Sequence, residues 1–223
     1  APEFIDLLLQ LFGAGLAVLV GTVIIGGIRS IAAVASKIVP AMGAIYLLAG
    51  VIVIGLNYQE IPHGLSEIFR LALTPEAGLG GVLGGLLIGV QRAAFSNEAG
   101  VGSAAIAHAA ARTDTPVSQG FVGMLGPFID TVVICMVTAL VIVMTGVYET
   151  GTDMEGVELT SRAFASAIPW FPYVLAVTVF LFAYSTMIAW SYYGLKATTY
   201  LFGERQVVEL AYKIFFCAFV VVG

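Results

Sequence analysis

Ser96, Asn97 and Glu98, followed closely by Gly100, Gly102 and Ser103, bring hydroxyl, carboxamide and carboxylate groups together with conformationally free glycines. They interrupt an apolar run: 77–91 carries no charge, 99–111 carries none, and Arg92 and Glu98 lie between. Charged groups and unwound backbone persist at membrane depth only where protein buries them or a wet cavity receives them. The segment reads as a helix break on the path of a solute or ion, the arrangement secondary transporters use near the bilayer midplane. Such a break has the chemistry to hold a zwitterion. Amides at the start of the second half-helix meet a carboxylate, carbonyls at the end of the first meet an ammonium, and Ser96 and Asn97 both donate and accept. Val90, one turn earlier, is a candidate wall beside a small side chain.

A second cluster is Ser185-Thr186, adjacent hydroxyls in an apolar run. Hydroxyl and carbonyl oxygens suit a hard cation; the same pair is also what hydroxyls bonding back to their own helix would give. Arg92 and Glu98, with Asp130 further on, fit either an intramembrane ion-pair network or a proton relay. His63 and His108 sit at loop edges and read as solvated, while Cys135 and Cys217 read as packing residues. The sequence holds no HExxH or GxSxG motif, and nothing indicates an enzyme.

The elements that must position these groups are all helical. Hydrophobic residues make up 60% of the chain and charged ones 10%, the composition of a polytopic membrane protein. One all-α membrane domain is expected over 1–223. Its apolar spans run over 7–28, 38–58, 79–111 (broken near 95–102), 120–148 and 169–195, with an incomplete one at 214–223. A turn at 29–37 would join the first two spans as an antiparallel hairpin, with Pro40 near the start of the second helix. Short interfacial helices are expected around 65–72 and 159–168. Gly80, Gly81, Gly84, Gly85 and Gly89 offer overlapping small-residue spacings, at 80/84, 81/85 and 85/89, for helix packing.

Net charge is −5, with acidic residues concentrated in the loops at 59–78 and 149–158. Lys and Arg favour 29–37, 108–117 and 196–213, which the positive-inside rule puts in the cytoplasm. No nucleic-acid surface is evident. The chain begins without Met or a signal peptide, and its last apolar run is half the length of a span. It reads as the interior of a longer protein.

The block Arg92-Ala-Ala-Phe-Ser-Asn-Glu-Ala-Gly-Val-Gly-Ser103, followed by Ala107-His108, Gln119-Gly120, Phe128-Ile-Asp130-Thr131, Phe182-Ala-Tyr-Ser-Thr186 and Trp190-Ser-Tyr-Tyr-Gly194, resembles the alanine or glycine:cation symporter family along nearly the whole chain. The resemblance implies a leucine-transporter-type fold of two inverted five-helix repeats and one extra helix. About six of the eleven spans are present here, from the fourth core helix into the ninth, as a C-terminal-side portion. It implies a substrate pocket including Val90, Phe95, Ser96, Asn97, Thr186 and Ala189. It also implies a sodium site of Ser185, Thr186 and the Phe182 carbonyl, completed by backbone from the absent first broken helix. Ala189 and Ala104 stand where members often have glycine and proline.

The function expected on these grounds is sodium-coupled import of alanine or glycine across the cell membrane of a bacterium or archaeon, with a proton as the other possible coupling ion. The partners expected are the amino acid, the bilayer and the remainder of the chain. Two rivals are a truncated or pseudogene fragment without transport activity and an ion channel, which would need a continuous polar stripe through several spans.

Overall fold

The computed structural model describes residues 2–75, 77–93, 102–150 and 156–222, and among them every regular element is helical. In chain order these are α1 (Pro2–Ile25), α2 (Gly27–Leu56), α3 (Ile61–Ala72), α4 (Val82–Ala93), α5 (Ala104–His108), α6 (Pro116–Pro127), α7 (Cys135–Thr145), α8 (Val157–Ala167), α9 (Phe171–Phe202) and α10 (Gln206–Val222). π-helical turns lead into α4 at Ala77–Gly81 and join α6 to α7 at Phe128–Ile134. Among the described residues four stretches are long and apolar enough to cross a membrane: Leu7–Ile25, Gly27–Leu56, Pro116–Thr145 and Phe171–Phe202. The protein is therefore a helical, multi-pass membrane protein.

The structure shifts two expected boundaries. Helix α1 turns into α2 at Gly26–Gly27, with Gly27 at φ +67°, and α2 then runs straight through 29–37. Glycine makes that corner in one residue because it has no Cβ to clash in the left-handed region. At 30 residues α2 is about 45 Å long, against a hydrocarbon core of about 30 Å. The charged first turns with Arg29 and Lys37 thus have room to lie outside the apolar slab. Pro40 falls inside the helix and has no N–H for the Ser36 carbonyl. Similarly, α9 continues to Phe202 and α10 begins at Gln206, so the expected loop over 196–213 shrinks to three residues ending the helix at Gly203, φ +86°. Hydropathy registers only the apolar part of a helix, and these helices run past it.

The chain divides into two compact units. The first comprises Ala1–Met42 and Phe180–Gly223. Within it α1 pairs with α10. A Cβ on Gly13 would meet the Val221 carbonyl oxygen at 2.7 Å, and one on Gly21 would meet Cys217 Sγ at 3.6 Å. Lys213 Nζ donates to the Ile25 carbonyl at 3.4 Å. Positions rise along α1 as they fall along α10, so the pair is antiparallel. Its seam is the small-residue row Gly13, Ala17, Gly21, the spacing that lets helix backbones approach in membranes. Gly194 of α9 lies directly under the Tyr212 hydroxyl of α10.

The second unit is Gly43–Val179. Its core is Ala49, Val53, Val141, Ala163, Phe164, Phe171 and Leu175. Phe164 stacks on Phe171 at 4.7 Å between ring centroids and meets Tyr46 at 5.4 Å. The Tyr46 hydroxyl shares a 2.6 Å hydrogen bond with Thr138 Oγ1, which in turn donates to the Ile134 carbonyl. No buried hydroxyl in that pair is left unsatisfied. The expected short helices are present. On α3, Gly64 is buried against Met144, while Arg70 and Glu67 form a two-pronged ion pair on the outer face. The Arg70 guanidinium, by hydrogen bond and charge, holds the Glu67 carboxyl below its usual range.

Among the described residues no other helix lies within 4 Å of a Cβ built on Gly80, Gly81, Gly84, Gly85 or Gly89; one on Gly81 would meet Ala77 of its own turn. The small-residue row that does bring helices together is the one on α1.

Candidate functional site

The broken segment is bracketed by described helices. The π-turn at Ala77–Gly81 leads into α4, which ends at Ala93, and Gly102 at φ +90° leads through Ser103 into α5. Phe95, Ser96, Asn97 and Glu98 lie outside the described residues, as does the side chain of Arg92. Val90, on α4, is 64% exposed. Ala104 takes the first helical position of α5, and Ser103 before it is already helical at φ −64°, ψ −27°, a conformation that a proline at 104 would disfavour. Ser103 belongs to the polar cluster of the sequence but not to its candidate pocket residues. Its hydroxyl oxygen is buried and has no hydrogen-bond partner among the described residues.

His63 is exposed, as expected, whereas the expectation for His108 needs correcting. His108 is half-buried, with Nδ1 2.6 Å from Gln119 Nε2 and its ring 3.5 Å from the Cβ position of Gly123. The link ties α5 to α6 across the loop over 109–115. Thr115 then caps α6 by accepting from the Ser118 amide at 3.4 Å, with Pro116 in the first turn. Cys217 does pack, against Gly21, whereas Cys135 is exposed.

Asp130 is half-buried at the middle of the span Pro116–Thr145, in the π-helical turn. Pro127 has no N–H to continue the α-helical ladder, and the backbone recovers by a wider register in which the Cys135 amide donates to the Asp130 carbonyl, five residues back.

The hydroxyl pair sits on α9. Ser185 Oγ and Thr186 Oγ1 each donate to the Phe182 carbonyl oxygen at 2.9 Å. Two of the three oxygens expected at the cation site thus share the third, the Phe182 carbonyl oxygen, as their acceptor. Ser185 is 6% exposed, Thr186 and Ala189 are half-buried, and the Phe182 ring is exposed. Each hydroxyl gives its proton to the carbonyl and keeps lone pairs free. These are bonds back to the pair's own helix, and a hard cation would draw on the same oxygens. The residue before the pair, Tyr184, has no role that the sequence alone assigns. It is buried, and its hydroxyl donates to the Leu19 carbonyl of α1 at 3.1 Å.

Comparison with known proteins places these elements. The chain is 40% identical over 176 residues to the sodium/alanine symporter AgcS of Methanococcus maripaludis, covering 78% of this chain and 39% of that protein. It is 42% identical over 172 residues to the amino-acid carrier protein AlsT of Bacillus subtilis, covering 76% and 36%. A third relative, GlnT of Bacillus subtilis, is named for sodium and glutamine and is 38% identical over 166 residues, 74% of this chain and 34% of that protein. The chain thus spans less than two-fifths of the length of each. One family matches from residue 4 to residue 223, taking in the segment around the break, the π-helical turn and the hydroxyl pair alike, and the chain belongs to that family, the sodium:alanine symporters.

Proposed function

We propose that this chain is part of a sodium-coupled importer of a small neutral amino acid, alanine or glycine, working by alternating access in the cell membrane of a bacterium or archaeon. Within the full-length protein it would form six of eleven spans of a leucine-transporter-type fold. The observation that carries the coupling-ion part is the trio of oxygens on α9, Phe182 O, Ser185 Oγ and Thr186 Oγ1, two hydroxyls on one carbonyl. Sodium bound there would draw the Phe182 carbonyl and the hydroxyl lone pairs toward itself, and the apolar surroundings would strengthen each contact. The substrate part is supported by the relatives named for alanine and for amino-acid transport. On this reading Val90 and the 95–97 segment bind substrate on the broken helix, and Thr186 and Ala189 do so on α9.

The test is counterflow uptake by the full-length protein in proteoliposomes, with alanine, glycine and glutamine as substrates and sodium or a proton gradient as driver. Sodium-driven alanine or glycine uptake is expected, and Asn97→Ala is expected to abolish it with membrane insertion intact. Uptake that ignores both cations, or an Asn97→Ala protein with unchanged transport, would overturn the reading.

A further inference from the structure

Helix α9 touches α1 through a row of side chains one turn apart. Phe180 meets Phe12 edge-on at 6.2 Å, and Tyr184, 8% exposed, donates from its hydroxyl to the Leu19 carbonyl at 3.1 Å. Ile188, the next in the row, is fully buried. The Leu19 carbonyl is an unusual acceptor, since Thr22 Oγ1 of the same helix also donates to it at 2.8 Å.

Successive residues on a helix are turned by about 100°. Ser185 therefore follows Tyr184 round the edge of the buried row and is 6% exposed, while Thr186 is turned further and is only half-buried. The rotation of α9 about its own axis decides where both hydroxyls and the Phe182 carbonyl point. Contacts such as Phe12 on Phe180 oppose separation, and even an edge-on aromatic pair has only a broad orientational preference. A hydrogen bond is more directional, and weakens steeply as its angle closes. Tyr184 makes such a bond to α1 one residue away from the hydroxyl pair.

We infer that Tyr184 is a positioning residue for the coupling cation, its bond to Leu19 setting the rotational register of α9 and hence the aim of the three oxygens. This rests on the cation reading proposed above. A purely structural role is the competing account, and the magnitudes argue against it: hydrogen bonds between helices in membranes add little to stability on average. Oxygen ligands to a cation, in contrast, must sit within a few tenths of an ångström of their place.

The experiment measures sodium dependence of radiolabelled alanine uptake by the full-length transporter in proteoliposomes, for the wild type, Tyr184→Phe, Thr22→Val and Thr186→Val. Tyr184→Phe keeps the ring and removes only the donor. It is expected to raise the sodium concentration for half-maximal uptake about three- to tenfold, the effect of losing one directed hydrogen bond, with maximal rate and melting temperature near wild type. Thr22→Val, which removes the other hydroxyl from the same carbonyl, is expected to change neither. Unaltered sodium dependence in Tyr184→Phe, or an equal shift in Thr22→Val, overturns the inference. Thr186→Val separates the layers. If it shifts sodium dependence and Tyr184→Phe does not, positioning fails alone; if it shifts nothing, the cation reading fails and this inference with it. The same variants assayed in intact cells, normalised to surface-labelled protein, give the answer even if one of them does not survive detergent.

Discussion

Gly13 and Val221 hold α1 and α10 at backbone contact: the side chain that Gly13 lacks would end 2.7 Å from the Val221 carbonyl oxygen. Backbone cannot rotate aside as a long side chain can. Alanine is the better helix former by about 1 kcal/mol, yet overpacking a tight contact costs about 1–3 kcal/mol. Gly13→Ala should therefore destabilise the folded protein, while Gly15→Ala on the same helix, with nothing within 4 Å of its Cβ among the described residues, should be neutral or stabilising. Melting temperatures of the two variants in detergent decide it, and equal values would mean that the helices do not meet at Gly13.

Further along the same seam, a Cβ on Gly21 would lie 3.6 Å from Cys217 Sγ. That separation is within reach of a disulfide after small adjustment. Gly21→Cys is expected to cross-link to Cys217 under mild oxidation, seen as a reducible shift on a gel that Cys217→Ser abolishes. No cross-link would place α10 elsewhere.

Thr186→Val nearly preserves volume and removes one oxygen of the α9 trio. Sodium affinity should fall about tenfold, equivalent to about 1.4 kcal/mol, with expression near normal. Because coupled ligands stabilise each other by the same free energy, alanine affinity at low fixed sodium should fall too. Sodium titration of uptake at two alanine concentrations measures both. Unchanged values would reduce the pair to back-bonding within its own helix.

Val90 protrudes from α4, 64% exposed among the described residues. If it walls the substrate side chain, Val90→Leu adds a methylene worth about 1–3 kcal/mol of discrimination and should weaken alanine uptake more than glycine uptake. A competition assay with both amino acids reads the ratio, and equal losses would make Val90 a packing residue.

Local chemistry made much of this legible in the sequence. The amphipathic pattern around 65–72 gave α3, and the pairing of hydroxyls at 185 and 186 with the 182 carbonyl follows from helix geometry alone, which brings residues three and four apart together. What stayed hidden was non-local. Glycine rows at 13/21 and at 80/84/85/89 look alike as text, and only the first has a neighbouring helix among the described residues. The expected turn at 29–37 followed the charges, whereas the chain turns at Gly27, where conformational freedom outweighs polarity. The bond from Tyr184 to Leu19 spans 165 residues and leaves no trace in local composition.

The capping of α1 has a consequence in time. Its last carbonyl, Ile25, is met by a lysine 188 residues later in the chain. At about 5–20 residues per second, a ribosome needs roughly 10–40 s to travel that far. Throughout that interval the glycine seam of α1 and its open carboxyl end exist in the membrane without their eventual partner. Lipid, the insertion machinery or an earlier helix must shield them, so α1 is a segment whose final neighbours are assigned late in synthesis. The Gly21→Cys variant dates the event: in chains arrested before Gln206 is made, no cross-link can form, and its appearance as arrest points move past Cys217 marks the moment the pair closes.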